Sequence, residues 1–163
     1  MGARGVLFAI SDDTVAELLA AESDDDVMEI VESLEEDWDE QFLAETDKAW
    51  DAIHRALSDG SLNPDGGTPP TNRAILGGNH LYGGDDYVVA LVTKDEVPGV
   101  ARALAAIDDH EMRRRYDQIV PRDYALEYGD DDREYTVENF RDVAGLYDRA
   151  AKAGRAVIFT VDQ

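Results

Sequence analysis

The chain contains no cysteine, and only three of its 163 residues are lysine: Lys48, Lys94 and Lys152. Without cysteine there is no disulfide framework, no thiolate nucleophile and no cysteine-ligated zinc or iron–sulfur centre. The chain has 15 basic and 37 acidic residues, which gives a formal net charge of −22. Because nucleic-acid affinity depends on clustered Lys and Arg that neutralise phosphates, this balance argues against a nucleic-acid-binding protein.

The chain also lacks long apolar runs. Its first apolar segment, Val6–Ile10, follows a single arginine and ends at Ser11, which is too early for a signal peptide. No other stretch approaches the roughly 18 apolar residues that a membrane-spanning helix needs. We therefore expect a cytoplasmic protein that has no membrane partner.

The composition is that of a globular protein. Hydrophobic residues make up 44% of the chain, beside 13 glycines and 5 prolines. A chain of this length typically folds around one core. We therefore expect one compact domain over residues 1–163.

The negative charge is concentrated in the first third of the chain. Residues 1–50 contain 16 acidic and 2 basic residues, which leaves 21 acidic and 13 basic residues for the remainder. A surface of one sign steers the approach of a partner of the opposite sign. The same composition is also typical of a solvated, salt-adapted exterior, so both interpretations stay open.

Hydrophobic periodicity and capping residues predict alternating strands and helices. Strands are predicted at Gly5–Ile10, Arg73–Leu76, Tyr87–Val92 and Arg155–Val161. Helices are predicted after Ser11 and Ser23, over 47–57, from about Thr93 to Ile107, from Asp108 to Tyr116, and before Gly154. The strand at Tyr87–Val92 is apolar throughout and is expected near the centre of the sheet. Irregular helix pairs between strands favour an α+β fold with a mixed β-sheet over a doubly wound sheet.

The clearest helical pattern, residues 47–57, carries a titratable group of interest. Trp50, Ile53 and Leu57 form the apolar stripe of this helix, and His54 lies at the edge of the stripe. Carboxylates three and seven residues before His54 would allow the imidazole to act as a general base or as a metal ligand. The alternative is a packed histidine whose ring N–H is satisfied by a neighbouring group.

Two glycine pairs enclose His80 and Tyr82 in the segment 76–86. Paired glycines permit the close backbone approach that binding loops require. The segment lacks the Lys or Arg of a phosphate cradle and precedes a strand, so a ligand there would be uncharged, cationic or peptide-like. A tight structural loop is the alternative. The candidate ligand-binding residues are Trp50, His54, Gly77, Gly78, His80, Tyr82, Tyr116 and Asp117.

Signatures of catalysis and of metal binding are missing. The three histidines lack zinc-ligand spacing, the aspartate runs lack the alternation of a calcium loop, and no Gly-x-Ser-x-Gly motif occurs. We predict no catalytic residue, no metal and no cofactor. The only basic run, Arg113–Arg115, has Asp109 and Asp117 four residues on either side of Arg113, which favours neutralisation within the helix over anion binding.

Short segments of the chain resemble the YfbM-like family of small bacterial proteins. They are residues 47–57, Leu76-Gly77-Gly78, Arg115-Tyr116-Asp117 and Gly154-Arg155-Ala156-Val157. The opening Met1-Gly2 and the order of the predicted elements are also similar, so the resemblance covers nearly the whole chain. It implies a compact single α/β domain without an established activity.

These observations lead to two main functional hypotheses. The first is a non-enzymatic interaction domain, similar in role to an immunity or inhibitor protein, that meets a basic protein through Asp24–Glu40. The alternative is a small-molecule-binding protein or enzyme whose pocket joins Trp50 and His54 to the Gly77–Gly84 loop. A third interpretation is a salt-adapted surface without a specific partner, and the oligomeric state stays open.

Overall fold

The computed structural model describes residues 3–119, 124 and 128–162, and these form strands and helices in the following order. The elements are β1 (Gly5–Ile10), α1 (Asp12–Ala20), α2 (Asp24–Asp37), β2 (Leu43–Asp47), α3 (Trp50–Leu57), β3 (Asn79–His80), β4 (Tyr87–Val92), α4 (Val97–Ala105), α5 (Asp109–Tyr116), α6 (Asp130–Ala153) and β5 (Ala156–Asp162). The α+β class is therefore confirmed. None of the helices among these residues is long and apolar enough to cross a bilayer.

The five strands form one sheet in the order β2-β1-β5-β4-β3, and every pairing is antiparallel. This corrects the expectation of a mixed sheet, because hydrophobic patterns locate strands without giving their direction. It also moves the centre of the sheet from β4 to β5, which pairs with β1 on one side and with β4 on the other. The last strand of the chain thus joins the two halves of the sheet.

Helices cover both faces of the sheet, and each face has its own core. Alternate residues of β1 point to opposite faces: Val6 and Phe8 pack with α1 and α2, whereas Leu7 and Ala9 pack with α3, α4 and α6. All six residues of β1 are buried, which explains why its sequence is apolar throughout. The α1–α2 pair forms a layer of its own on one face.

Local capping chemistry explains where several helices begin and end. Ser11 and Ser23 precede α1 and α2, and their side-chain oxygens accept the N–H groups of Thr14 and Asp26 at 3.3 and 3.2 Å. Each such cap stabilises its helix by about 1 kcal/mol. At the other end of the chain, α6 ends at Gly154, whose φ of 66° lies in the left-handed region that glycine adopts readily.

Two predicted elements differ from the structure. The segment Arg73–Leu76, predicted as a strand, forms a turn that follows a short 3₁₀ helix at Thr71–Arg73, and the nearest strand is β3. The helix predicted over 47–57 begins at Trp50, because the preceding residues form β2 along the edge of β1. The second difference arises because β2 pairs with the distant β1, which local periodicity does not encode.

Candidate functional site

His54 is buried in α3, with 1% of its surface exposed, and both of its ring nitrogens are hydrogen-bonded. Nε2 donates to the carbonyl of Asn63 at 2.9 Å, and Nδ1 accepts the N–H of Leu76 at 3.4 Å. Burial lowers the pKa of His54 below its ordinary value of 6.5. The histidine expected at the edge of the apolar stripe is therefore a neutral group enclosed by main chain from two loops.

Trp50 lies at the start of the same helix and holds the N-terminal segment. Its indole N–H donates to the carbonyl of Ala3 at 2.9 Å, and its ring packs against Phe159 of β5 with centroids 5.7 Å apart. Only 7% of the residue is exposed. The single polar atom of the side chain is thus occupied within the fold.

The first glycine pair of the loop allows two pieces of backbone to touch. A Cβ atom on Gly77 would lie 2.0 Å from the carbonyl oxygen of Asn72, and one on Gly78 would lie 2.7 Å from the carbonyl oxygen of Leu91. Neither space accommodates a side chain, so both positions require glycine. The pair shapes the turn that brings Leu76 to His54.

His80 and Tyr82 lie farther along the loop, on the side of the sheet edge. His80 Nε2 donates to the carbonyl of Leu76 at 2.7 Å, and the Tyr82 hydroxyl donates to Asp86 at 2.9 Å. The next residue, Gly83, donates its N–H to a carboxylate oxygen of Asp24 in α2 at 2.9 Å. Gly83 thus ties the far end of this loop to α2, whereas His80 is bonded to the turn at Leu76.

Tyr116 and Asp117 belong to a third location, where α5 meets the start of α6. The hydroxyls of Tyr116 and Tyr124 donate to the same oxygen of Asp132 at 2.5 and 2.8 Å, and Asp117 pairs with Arg133 at 3.4 Å. Burial and the bond to Asp132 raise the pKa of Tyr116. Sequence reasoning missed Asp132, although three aspartates in succession at residues 130–132 are a signal for the positive end of a helix.

A buried ion pair on α3 also escaped the sequence analysis. Arg55, with 4% of its side chain exposed, donates from Nε to Asp51 at 2.6 Å, and its guanidinium lies 5.5 Å from the ring centroid of Tyr124. The spacing of four residues between Arg55 and Asp51 was the available signal. The pair lies within α3, where Arg55 is buried and Asp51 is partly exposed, and the guanidinium extends the contact to Tyr124.

The eight candidate residues are thus distributed over four places. His54 and the Gly77–Gly78 pair meet at the turn around Leu76, and Trp50 lies in the core. His80 and Tyr82 lie at the edge of the sheet, and Tyr116 and Asp117 lie near the start of α6. Within the described part of the chain, no three His, Asp or Glu side chains lie close enough to hold a metal ion.

The basic run of α5 is neutralised within the protein, through different partners from those predicted. Arg113 pairs with Glu134 of α6 at 2.8 Å, and Arg114 and Arg115 both pair with Glu111 at 2.5 and 3.2 Å. Asp109, expected to pair with Arg113, instead binds Arg141 of α6. The Arg113–Glu134 and Arg141–Asp109 pairs connect α5 to α6, the other two lie within α5, and together these pairs occupy the three guanidinium groups of the run.

The acidic residues of α2 form a stripe on its exposed side, named here the acidic stripe. Its members are Asp25, Glu29, Glu32 and Glu36. Successive members are three or four residues apart and so share one face, opposite the buried Val27 and Val31. Among the residues that the structure describes, no salt bridge involves a carboxylate of α2.

A shallow groove of about 280 Å³ runs between α1 and α2 beside this stripe. Ile30 and Leu34 provide its apolar floor, and Glu17, Glu29 and Asp37 provide carboxylates at its rim. Between Gly5 and Asp47 the sequence contains no Lys or Arg at all. The groove therefore has carboxylates at its rim, and the cations nearest to it come from distant parts of the chain: Lys94 pairs with Asp12 at the start of α1, and Arg155 lies near Asp37.

Fold and site together define a small α+β protein that has an acidic helical layer on one face and an enclosed histidine on the other. The chain belongs to the family described as Domain of unknown function (DUF1877), whose model matches residues 1–160. The resemblance to the YfbM-like family is thereby confirmed.

A solved structure agrees with this assignment. The chain resembles the protein of unknown function YfbM from Escherichia coli, with a TM-score of 0.69 and 19% sequence identity over 97% of this chain and 99% of that chain. At this identity the similarity shows the fold alone. No curated protein matches the chain.

Proposed function

We propose that the protein is a non-enzymatic interaction domain that binds a basic protein through the α1–α2 layer, as an immunity or inhibitor protein would. The observation that carries the proposal is the acidic stripe of α2. Its four carboxylates are exposed, share one helix face and have no cationic partner among the described residues. Like charges at this spacing destabilise a helix by about 0.2–0.5 kcal/mol per pair, so the stripe has a folding cost that a basic partner would relieve.

The geometry favours this surface over the alternative pocket around Trp50 and His54. The imidazole uses both nitrogens on main-chain groups, and the indole N–H is bonded to Ala3. A ligand pocket fixes the orientation of its ligand through a few polar groups, and the polar atoms of these two side chains are already occupied. Each carboxylate of the acidic stripe, in contrast, faces solvent.

The experiment is capture of proteins from a lysate of the encoding organism on the immobilised protein at low ionic strength, with elution by salt. Two triple variants are compared: Glu29→Gln, Glu32→Gln, Glu36→Gln on the stripe, and Asp95→Asn, Glu138→Gln, Asp142→Asn elsewhere. Both sets are exposed and remove three charges. We expect basic proteins to be retained by the wild type and the second variant and lost from the stripe variant.

Equal retention by the two variants would contradict the proposal, because it would trace binding to net charge rather than to this surface. Any protein retained selectively is then purified and titrated against the same variants by calorimetry. The proposal would also be contradicted if the stripe variant bound that protein as tightly as the wild type does.

A further inference from the structure

The free edge of the sheet beside the α1–α2 layer has unpaired main-chain groups. β3 is the last strand of the sheet and pairs with β4 through Asn79 and His80. Leu81 donates its N–H to the carbonyl of Val89 at 2.8 Å, and this bond places Leu81 opposite Val89 in a hydrogen-bonded pair. Because such pairs alternate in an antiparallel ladder, the N–H and C=O of His80 point away from β4, toward solvent.

A cleft of about 380 Å³ lies directly beside this edge, between β3 and the corner where α1 meets α2. Its apolar side chains are Leu18, Leu19, Val27 and Leu81. Leu19 is 63% exposed, which makes it the most exposed large apolar residue among those described. A sheet edge next to a cleft that has both polar and apolar lining, with Leu19 exposed at its mouth, is an arrangement in which a protein can receive an extended peptide as an additional strand.

Carboxylates surround the cleft and define the charge of its occupant. Glu22 and Asp24 line it, and Asp86 lies on the following loop. The Tyr82 hydroxyl donates to Asp86, and Asp24 accepts the N–H of Gly83; the bond to Asp86, burial and the nearby negative charges raise the pKa of Tyr82. Neither residues 5–47 nor residues 74–93 contain a Lys or Arg. The charge is therefore complementary to a basic segment.

We propose that β3 and this cleft bind an extended, lysine- or arginine-containing segment of the partner protein. The segment adds a strand beside β3 through the main chain of His80 and places one apolar side chain against Leu19 and Leu81. Its basic side chains then face Glu22 and Asp24. This inference rests on the proposed function, since it names the part of a basic partner that the acidic face holds.

The probe is a library of blocked hexapeptides that alternate lysine or arginine with apolar residues, screened by fluorescence anisotropy and then by amide NMR shifts. Leu19→Lys is compared with Ala16→Lys, since both positions are exposed on α1 and both variants gain one positive charge. We expect Leu19→Lys to weaken the best peptide by about tenfold or more and Ala16→Lys to leave it within about twofold. Two sets of N-methylated peptides complete the test, each with every second amide methylated. Methylation of the amides that face β3 is expected to abolish binding, and methylation of the other set is not.

Three results would overturn the inference: no library member binds the wild type, both α1 variants weaken binding equally, or N-methylation has no effect in either register. Sedimentation that shows a dimer disrupted by Leu19→Lys would also overturn it, in favour of a second copy of this chain at the edge.

The two proposals can fail separately. If the stripe variant loses its captured proteins while Leu19→Lys retains them, this inference fails and the proposed function stands. If peptides bind at β3 but the stripe variant and its control retain the same proteins, the proposed function fails and peptide binding at the edge stands.

Discussion

His54 and His80 are joined through one residue of the loop between them. Leu76 donates its N–H to Nδ1 of His54 and accepts the N–H of His80 at its carbonyl. His54 approaches from the core and His80 from the edge of the sheet. The two imidazoles thereby fix the turn that precedes Gly77, and the buried one matters more for stability because its bonds are not exposed to water.

Replacement of His54 by leucine should destabilise the fold by about 2–4 kcal/mol, because the N–H of Leu76 and the carbonyl of Asn63 both lose their partner. Urea-induced unfolding monitored by tryptophan fluorescence gives the free energy. His110, an exposed residue of α5, provides the control: His110→Leu should change it by less than about 0.5 kcal/mol. Equal losses in the two variants would show that the hydrogen bonds contribute little.

The stability of the protein should fall as the pH drops below 6.5, through His54. Its pKa is lowered in the fold, mainly by burial, whereas in the unfolded chain the group titrates near 6.5. Below that pH the unfolded state binds more protons, so this contribution is complete above pH 6.5 and is lost as the pH falls toward the folded pKa. The unfolding free energy of wild type minus that of His54→Leu, measured from pH 8 to pH 5, isolates it. A flat difference would refute the assignment.

Salt should stabilise the wild type more than it stabilises the acidic-stripe variant. The carboxylates of Glu29, Glu32 and Glu36 repel one another and their neighbours at low ionic strength, and salt screens this repulsion. We expect the triple glutamine variant to be more stable than wild type by about 1 kcal/mol at about 0.01 M NaCl and nearly equal at about 1 M NaCl. Thermal unfolding at both salt concentrations measures this, with the Asp95, Glu138 and Asp142 variant as the control.

Alanine at Gly77 should be strongly destabilising, whereas alanine at Gly99 should not. A methyl group at Gly77 would meet the carbonyl oxygen of Asn72 at 2.0 Å, so the turn must shift at a cost of about 3 kcal/mol. Gly99 lies within α4 with no heavy atom within 4 Å of its would-be Cβ, so alanine there should stabilise by about 0.5–1 kcal/mol. Differential scanning calorimetry of both variants tests the contrast. It would be refuted by a Gly77→Ala protein that melts like the wild type.

Elements that depend on local chemistry could be predicted from the sequence. Ser11, Ser23 and Asp108 cap helices at the predicted positions, and Gly154 ends the last one. Each of these signals acts within three or four residues of chain, so a single sequence contains the information.

Features that depend on distant contacts could not be predicted in this way. β2 has a mixed pattern that becomes a strand only by pairing with β1, and β3 is two residues long. His54 occupies a position at the edge of its helix stripe, yet the loop that carries Asn63 covers it. The charge of α2 could be read from the sequence. The cleft beside His80 could not, because it forms only when α1, α2 and β3 come together in the fold.

The position of β5 has a consequence for synthesis on the ribosome. Its residues pair with Gly5–Ile10 on one side and with Tyr87–Val92 on the other, so the earlier strands lack their shared neighbour until Ala156–Asp162 has emerged. Contacts this remote in sequence form slowly and leave strand borders uncovered in the meantime. The nascent polypeptide must therefore wait for β5 before the sheet is continuous, and until then β1 with β2 and β4 with β3 are two unjoined halves.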